Sequence, residues 1–119
     1  MIKLRPSECC SPPALPDPLA EEARDRLVGV FRALGDRTRL EIFRLIAAQS
    51  QPICACDVVE RFPVSQPTIS HHLRVLGDAG LVTVGRQGVW AYYAATDEGR
   101  RVLEEMIGAV RQGTAFHRA

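Results

Sequence analysis

The fold is decided by residues 65–76, SQPTISHHLRVL. Ser65 is a good N-cap, and Pro67 falls in the first helical turn, where its missing N–H leaves no intrahelical hydrogen bond unmade. One apolar stripe at helical spacing comprises Ile69, Leu73 and Leu76. Gly80 supplies a C-terminal stop signal shortly afterwards. The stretch therefore predicts an amphipathic helix that turns a polar face outward.

Four further helices and a hairpin surround this segment. Apolar residues recur at steps of three and four in three segments, which predicts helices at about residues 20–34, 38–48 and 97–111. A short helix at about 55–61 is predicted between two prolines. β-branched and aromatic residues predict strands at 81–84 and 89–94, around a turn at 85–88. The predicted order is four helices, a two-stranded hairpin and a last helix, which Thr96 can cap.

The chain has 119 residues and a formal net charge of +1, from fifteen Lys and Arg against fourteen Asp and Glu. Its length predicts one domain, for which dimerisation would bury additional surface. No global field favours nucleic acid or acidic lipid, so any DNA binding must come from a local patch. We expect no membrane span, no signal peptide and a cytoplasmic location.

The positions of the prolines predict three parts of the chain, and the first part carries two of the cysteines. Residues 1–19 are predicted to form a flexible, proline-rich arm that carries Cys9 and Cys10, followed by a folded domain at 20–113 and a tail at 114–119. In a reducing compartment, the four cysteines are better interpreted as metal ligands, redox centres or buried fillers than as structural disulfides.

Four stretches in order, residues 33–40, 54–58, 65–73 and 79–82, make the chain similar to the ArsR/SmtB family of metal-responsive repressors. The resemblance implies a mainly α fold with a β-hairpin wing, which is a winged helix-turn-helix. It also implies a homodimer through the first and last helices. Such a protein holds double-stranded operator DNA without its effector and releases it when the effector binds.

The helix at 65–76 would then enter the major groove of DNA. The predicted DNA-binding residues are Ser65, Gln66, Thr68, Ser70, His71, Arg74 and, at the wing tip, Arg86. Amide and hydroxyl groups suit base edges or phosphate, and arginine suits guanine or phosphate. His72 lies nearer the buried stripe, so a packing role is at least as plausible for it.

The predicted effector site combines Cys54 and Cys56 with Cys9 and Cys10. The C-x-C pair resembles the thiol site of relatives that bind thiophilic ions, and the vicinal pair resembles that of some arsenic sensors. About ten extended residues could span roughly 30 Å, enough to reach a partner subunit. Trivalent arsenic takes three sulfurs and cadmium favours four, and four cysteines permit either. As(III) is favoured as the effector because the vicinal pair can chelate one small centre while Cys54 or Cys56 gives the third sulfur. The alternatives are Sb(III), or Cd(II) or Pb(II) at a four-thiolate site.

Two other interpretations stay open, and an enzyme is not expected. Oxidation of the thiols could release DNA without any metal, or the cysteines could be incidental to a constitutive DNA-binding module. The sequence contains no C-x-x-C, phosphate loop or cleft pattern of paired carboxylates.

In the favoured mechanism, an effector bound to Cys54 or Cys56 pulls on the helix at 55–61. That helix packs against the helix at 65–76, which is expected to read the DNA.

Overall fold

The computed structural model describes residues 12–112. Five helices and three strands follow one another as α1 (Glu21–Leu34), α2 (Arg37–Ala47), β1 (Ile53–Cys54), α3 (Ala55–Arg61), α4 (Gln66–Asp78), β2 (Val82–Gln87), β3 (Trp90–Ala95) and α5 (Asp97–Gln112). The mainly α fold with a β wing is confirmed. The predicted arm cysteines, Cys9 and Cys10, lie outside the described residues.

The reading helix α4 is held by its apolar stripe. Ile69, Leu73 and Leu76 are almost completely buried. They belong to one core cluster with residues of α1, α2, α3 and the wing, among them Ile42, Phe43, Ile46, Val58 and Leu81. Burying one such side chain contributes about 1.5–3 kcal/mol relative to exposure. The core therefore fixes which face of α4 remains outside.

The helices begin at the expected polar residues. Ser65 caps α4: its Oγ accepts from the Thr68 N–H at 3.4 Å and lies 2.9 Å from Thr68 Oγ1. Thr96 caps α5 by accepting from the Gly99 N–H at 2.9 Å, and it donates to the Gly80 carbonyl at 2.8 Å. The Thr96 cap therefore also ties α5 to the turn that follows α4.

The wing differs from the predicted two-stranded hairpin. It is a three-stranded antiparallel sheet in the order β1-β3-β2, with Ile53 opposite Tyr93 and Cys54 opposite Tyr92. A two-residue strand is too short to show the alternation that identifies strands in a sequence. The pairing adds a direct backbone connection between Cys54 and the wing.

The predicted position of the hairpin turn, residues 85–88, is also wrong. Residues 85–87 belong to β2, and Gln87 pairs with Trp90, which leaves Gly88 and Val89 as the two-residue connection. Gly88 has a φ of 61°, the positive value that the first position of a tight hairpin requires. Arg86 therefore lies on a strand opposite Ala91 rather than in the turn.

Helices α1 and α5 leave apolar side chains uncovered within one chain. Leu27 is 46%, Phe31 55% and Val110 65% exposed. The buried side chains of α1 are Val30, Ala33 and Leu34. An ion pair between Arg26 and Glu98 joins the two helices. Between residues 12 and 112, the structure contains no helix long and apolar enough to cross a membrane.

Substitution of Gly99 tests the close contact between α5 and the wing. A Cβ at this position would collide with the Leu81 carbonyl, whereas a Cβ at Gly77 would meet no atom within 4 Å. Urea denaturation should show that Gly99→Ala lowers the free energy of unfolding by about 1–3 kcal/mol. Gly77→Ala, the control, should be neutral or stabilise by up to about 1 kcal/mol. Equal effects would contradict this packing.

Candidate effector and nucleic-acid site

Cys54 and Cys56 flank the junction of β1 and α3. Cys54 is the N-cap of α3 and is 7% exposed, and its Sγ accepts from the Cys56 N–H at 3.3 Å. Cys56 is exposed. The Cα atoms are 5.2 Å apart, and the two sulfurs are joined as a disulfide. The local backbone thus brings both sulfurs to one point, where in reduced form they could chelate a single ion.

A cavity of about 500 Å³ opens beside these sulfurs. Helices α3 and α4 form part of its wall and the wing forms the rest. Its polar, sulfur and aromatic lining residues are Cys54, Cys56, Glu60, Gln66, Ser70, Arg86, Trp90 and Tyr93. The candidate effector thiols therefore share one cavity with three of the residues predicted to contact DNA.

The sheet register gives a second connection between the thiols and the wing. Tyr92 of β3 pairs with Cys54 on one side and with Gly85 of β2 on the other. Gly85 directly precedes Arg86 in the chain. Only one strand, β3, therefore separates the candidate effector thiol of Cys54 from the strand that carries the predicted DNA-binding arginine.

The predicted DNA-binding residues all have accessible side chains. The exposed set comprises Ser65, Gln66, Thr68, Ser70, His71, Arg74 and Arg86. Two of them, Ser65 and Thr68, already hydrogen-bond to each other. A second hollow is lined by Ser70, Arg74 and Arg86. Helix α4 and the wing thus present hydroxyl and guanidinium groups on adjoining surfaces.

His72 occupies a different environment from its neighbour His71. It is the one polar or charged residue that is buried in the described chain, at 7% exposure. Its Nδ1 lies 3.0 Å from a terminal nitrogen of Arg39. Burial lowers the pKa of His72, opposed by the charge of Asp36 and assisted by those of Arg39 and His71. The packing role considered for His72 agrees with this position.

Sequence reasoning missed several residues of this region. Trp90, Tyr93 and Glu60 line the cavity, and Arg39 contacts His72, although it lies 33 positions earlier in the chain. Trp90 is the only tryptophan in the sequence, and its position in the predicted wing strand 89–94 could have drawn attention to it. In the structure it is 53% exposed. No short-range pattern could have predicted the contact of Arg39 with His72.

The described residues do not form a complete metal site. Between residues 12 and 112 there is no group of three or more His, Cys, Asp or Glu residues that could hold a metal ion. Two converging thiolates fit a soft ion but do not complete the three sulfurs that trivalent arsenic takes. A complete site of that kind needs a ligand from outside this range.

Comparison with known proteins identifies the family. Residues 36–84 match the family described as bacterial regulatory protein, arsR family. A putative arsenical resistance operon repressor, ArsR2, from Halobacterium salinarum is 37% identical over 98 residues, which cover 82% of this chain and 80% of that protein. The chain belongs to the ArsR family. It is therefore a winged-helix transcriptional repressor of a DNA-binding family.

Two further similarities bear on ligand and assembly. A cadmium resistance transcriptional regulatory protein CadC homolog from Staphylococcus aureus is 34% identical over 87 residues, 73% of this chain and 71% of that protein. The homodimeric winged helix-turn-helix DNA-binding domain Mb0332 from Mycobacterium bovis, a possible ArsR-family regulator, is 25% identical, with a TM-score of 0.67, and covers 81% of this chain and 87% of that one.

Cys54 and Cys56 of this ArsR-family chain should differ in reactivity because Cys54 is buried and Cys56 is exposed. In reduced Cys9→Ser/Cys10→Ser protein, we expect iodoacetamide to label Cys56 several times faster than Cys54. Peptide mass spectrometry over a time course measures both rates, and urea-unfolded protein supplies the control, in which the rates should converge. Equal rates in the folded protein would contradict the burial of Cys54.

Proposed function

We propose that this ArsR-family repressor binds trivalent arsenic through the thiolates of Cys9 and Cys10 together with Cys54 or Cys56, and thereby releases its operator. The observation that carries the proposal is the cavity that the sulfurs of Cys54 and Cys56 share with Gln66, Ser70 and Arg86. An ion bound to the thiols would lie within the same cavity as groups that DNA would contact. Effector binding and DNA binding would therefore act on the same few side chains.

The proposed site takes three sulfurs, two from Cys9 and Cys10 and the third from Cys54 or Cys56. Three thiolates suit As(III) or Sb(III), whereas four would suit Cd(II) or Pb(II). Relatives named for arsenical resistance and for cadmium resistance both resemble this chain. We favour arsenic because the vicinal pair Cys9-Cys10 can chelate one small centre while Cys54 or Cys56 completes it.

The proposed DNA interface places α4 in the major groove, as winged helix-turn-helix proteins do with their reading helix. Gln66, Thr68, Ser70 and His71 would face base edges or phosphate, together with Ser65 at the start of the helix. Arg74 and Arg86 would neutralise phosphates on either side. With a net charge of +1, one subunit would bind weakly, so two subunits on a twofold-symmetric operator are expected.

A second subunit would cover the apolar surface of α1 and α5. Leu27 and Phe31 on α1 and Val110 on α5 are exposed in the single chain and would lie at the interface of the proposed homodimer. Burial of such side chains is the main stabilising contribution to obligate interfaces. The same two helices were expected to form the interface from the family resemblance.

The connection from effector to DNA follows the sheet and α3. Coordination of Cys54 would pull on the end of β1, whose pairing with Tyr92 connects it to the strand beside Arg86. Coordination of Cys56 would pull on α3, which packs against α4.

To move a repressor from about 99% bound to about 1% bound, the effector must favour the released state by about 5.5 kcal/mol.

One observation favours a second candidate function. The sulfurs of Cys54 and Cys56 are joined as a disulfide, so the same pair could sense an oxidant. In that case a peroxide would take two electrons from the two thiols, giving one disulfide and two molecules of water. The cavity and the sheet would then respond to oxidation in place of arsenic.

Fluorescence anisotropy of a labelled promoter fragment distinguishes these functions. Arsenite should release the reduced wild-type protein, with strong reductant present throughout. Cys54→Ser/Cys56→Ser and Cys9→Ser/Cys10→Ser should both bind DNA but lose most of the response, by about tenfold or more in the arsenite concentration required. Parallel titrations with cadmium test the four-thiolate alternative.

Each remaining result has a defined meaning. Release of the Cys9→Ser/Cys10→Ser variant at the wild-type arsenite concentration would exclude the arm from the site. Release by peroxide alone would favour the redox function. Binding that ignores arsenite, cadmium and peroxide would contradict effector control altogether.

Replacement of Arg86 tests the wing as a phosphate contact. Arg86→Ala should weaken binding to specific and non-specific DNA alike and reduce the slope of log affinity against log salt by about 1 per subunit. Arg37→Ala, an exposed arginine at the start of α2, serves as the matched charge control and should leave the slope unchanged. If both variants behaved alike, Arg86 would not be a phosphate contact.

A further inference from the structure

Arg39 connects three helices through one guanidinium group. Its Nε donates to the Ala33 carbonyl at 2.5 Å, and one terminal nitrogen donates to the Arg32 carbonyl at 3.2 Å, both in the last turn of α1. The other terminal nitrogen lies 3.0 Å from Nδ1 of His72 on α4. A cation suits the carbonyl-rich end of a helix. Arg39 itself belongs to α2, so the first, second and reading helices meet at this side chain.

The geometry determines the hydrogen-bonding role of His72. A guanidinium can only donate hydrogen bonds, so Nδ1 must accept, and an imidazole that accepts at Nδ1 is neutral with its proton on Nε2. The contact is thus formed only by uncharged His72. Protonation of Nδ1 would remove the acceptor and place two positive charges about 3 Å apart.

We propose that Arg39 and His72 form a clamp that positions the reading helix α4 against the end of α1, and that protonation of His72 opens this clamp and weakens DNA binding. Arg39 is a positioning residue, because it acts on DNA only through His72 and α4. The proposal rests on the proposed DNA interface of α4. It makes operator affinity sensitive to acid independently of the cysteines.

The charges around the clamp determine the direction of the pH effect. The positive charge of Arg39 on α2 opposes protonation of His72, and so does His71 on α4. The negative charge of Asp36, the N-cap of α2, favours protonation of His72. Burial is the largest influence and lowers the pKa of His72. Acid therefore favours any state in which α4 has moved away and His72 reaches water. The affinity for operator DNA should be highest when His72 is neutral. It should fall as the pH drops through the ordinary range of histidine titration.

His71 is a second imidazole on α4 and must be removed from the comparison. It is exposed on the proposed DNA face, so it could affect DNA binding directly rather than through the clamp. We therefore compare His71→Gln with His71→Gln/His72→Asn. Asparagine keeps an acceptor oxygen near the place of Nδ1 but does not titrate.

The experiment measures promoter affinity by fluorescence anisotropy at about pH 7.5, 6.5 and 5.5, which spans histidine titration, at constant salt and with reductant. In the His71→Gln protein, we expect the Kd to rise by about fivefold or more between the two extremes. In His71→Gln/His72→Asn, it should change by less than about twofold. Circular dichroism at each pH establishes that both proteins remain folded.

Equal pH dependence in the two proteins, or none in His71→Gln, would overturn the clamp. If the asparagine variant does not fold, His71→Gln/His72→Gln replaces it with the same expectations. Absence of promoter binding at about pH 7.5 in the wild type would instead contradict the proposed DNA interface. Failure of the clamp and failure of the proposed function are therefore distinguishable.

Discussion

The pairing of β1 with β3 is the constraint on which the rest of the site depends. Although β1 has only two residues, it places Cys54 opposite Tyr92 and attaches the candidate effector thiol to the sheet that forms the wing. Cys54 is also the N-cap of α3. It is therefore joined to α3 by the chain itself and to β3, the strand that pairs with Arg86, by antiparallel backbone hydrogen bonds.

The reading helix is held from two directions. Its apolar stripe packs into the core, and His72 contacts Arg39, whose other hydrogen bonds end on α1. In the proposed homodimer, α1 lies at the subunit interface, so Arg39 would connect the position of each reading helix to its partner. The thiol cavity beside Gln66 and Ser70 and the clamp at His72 would then act on the position of α4 separately.

Much of the fold could be predicted from the sequence because its signals are local. Ser65, Pro67 and Thr96 mark helix starts, and the spacing of Ile69, Leu73 and Leu76 selects the buried face of α4. The structure confirms these features. The family resemblance, rather than periodicity, supplied the interpretation of the C-x-C pair as a candidate site.

The remaining features depend on contacts between distant parts of the chain. Cys54 and Tyr92 pair across 38 positions, and Arg39 reaches His72 across 33. The turn was misplaced because Gly85 and Gly88 both suit a turn locally, and only the register of β2 against β3 selects Gly88. Cavity residues such as Trp90 come from the wing and are recognisable only once the sheet is assembled.

The emission of Trp90 offers the most direct test that the thiols and the DNA-reading surfaces form one unit. As the only tryptophan, it lines the cavity beside Cys54 and Cys56. The measurement follows Trp90 emission while arsenite is added to the reduced protein on labelled promoter DNA, with DNA anisotropy recorded in the same sample. Emission and DNA release should change together, at the same arsenite concentration, and neither should change in Cys54→Ser/Cys56→Ser. DNA release with unchanged Trp90 emission would contradict a shared cavity as the route from effector to DNA.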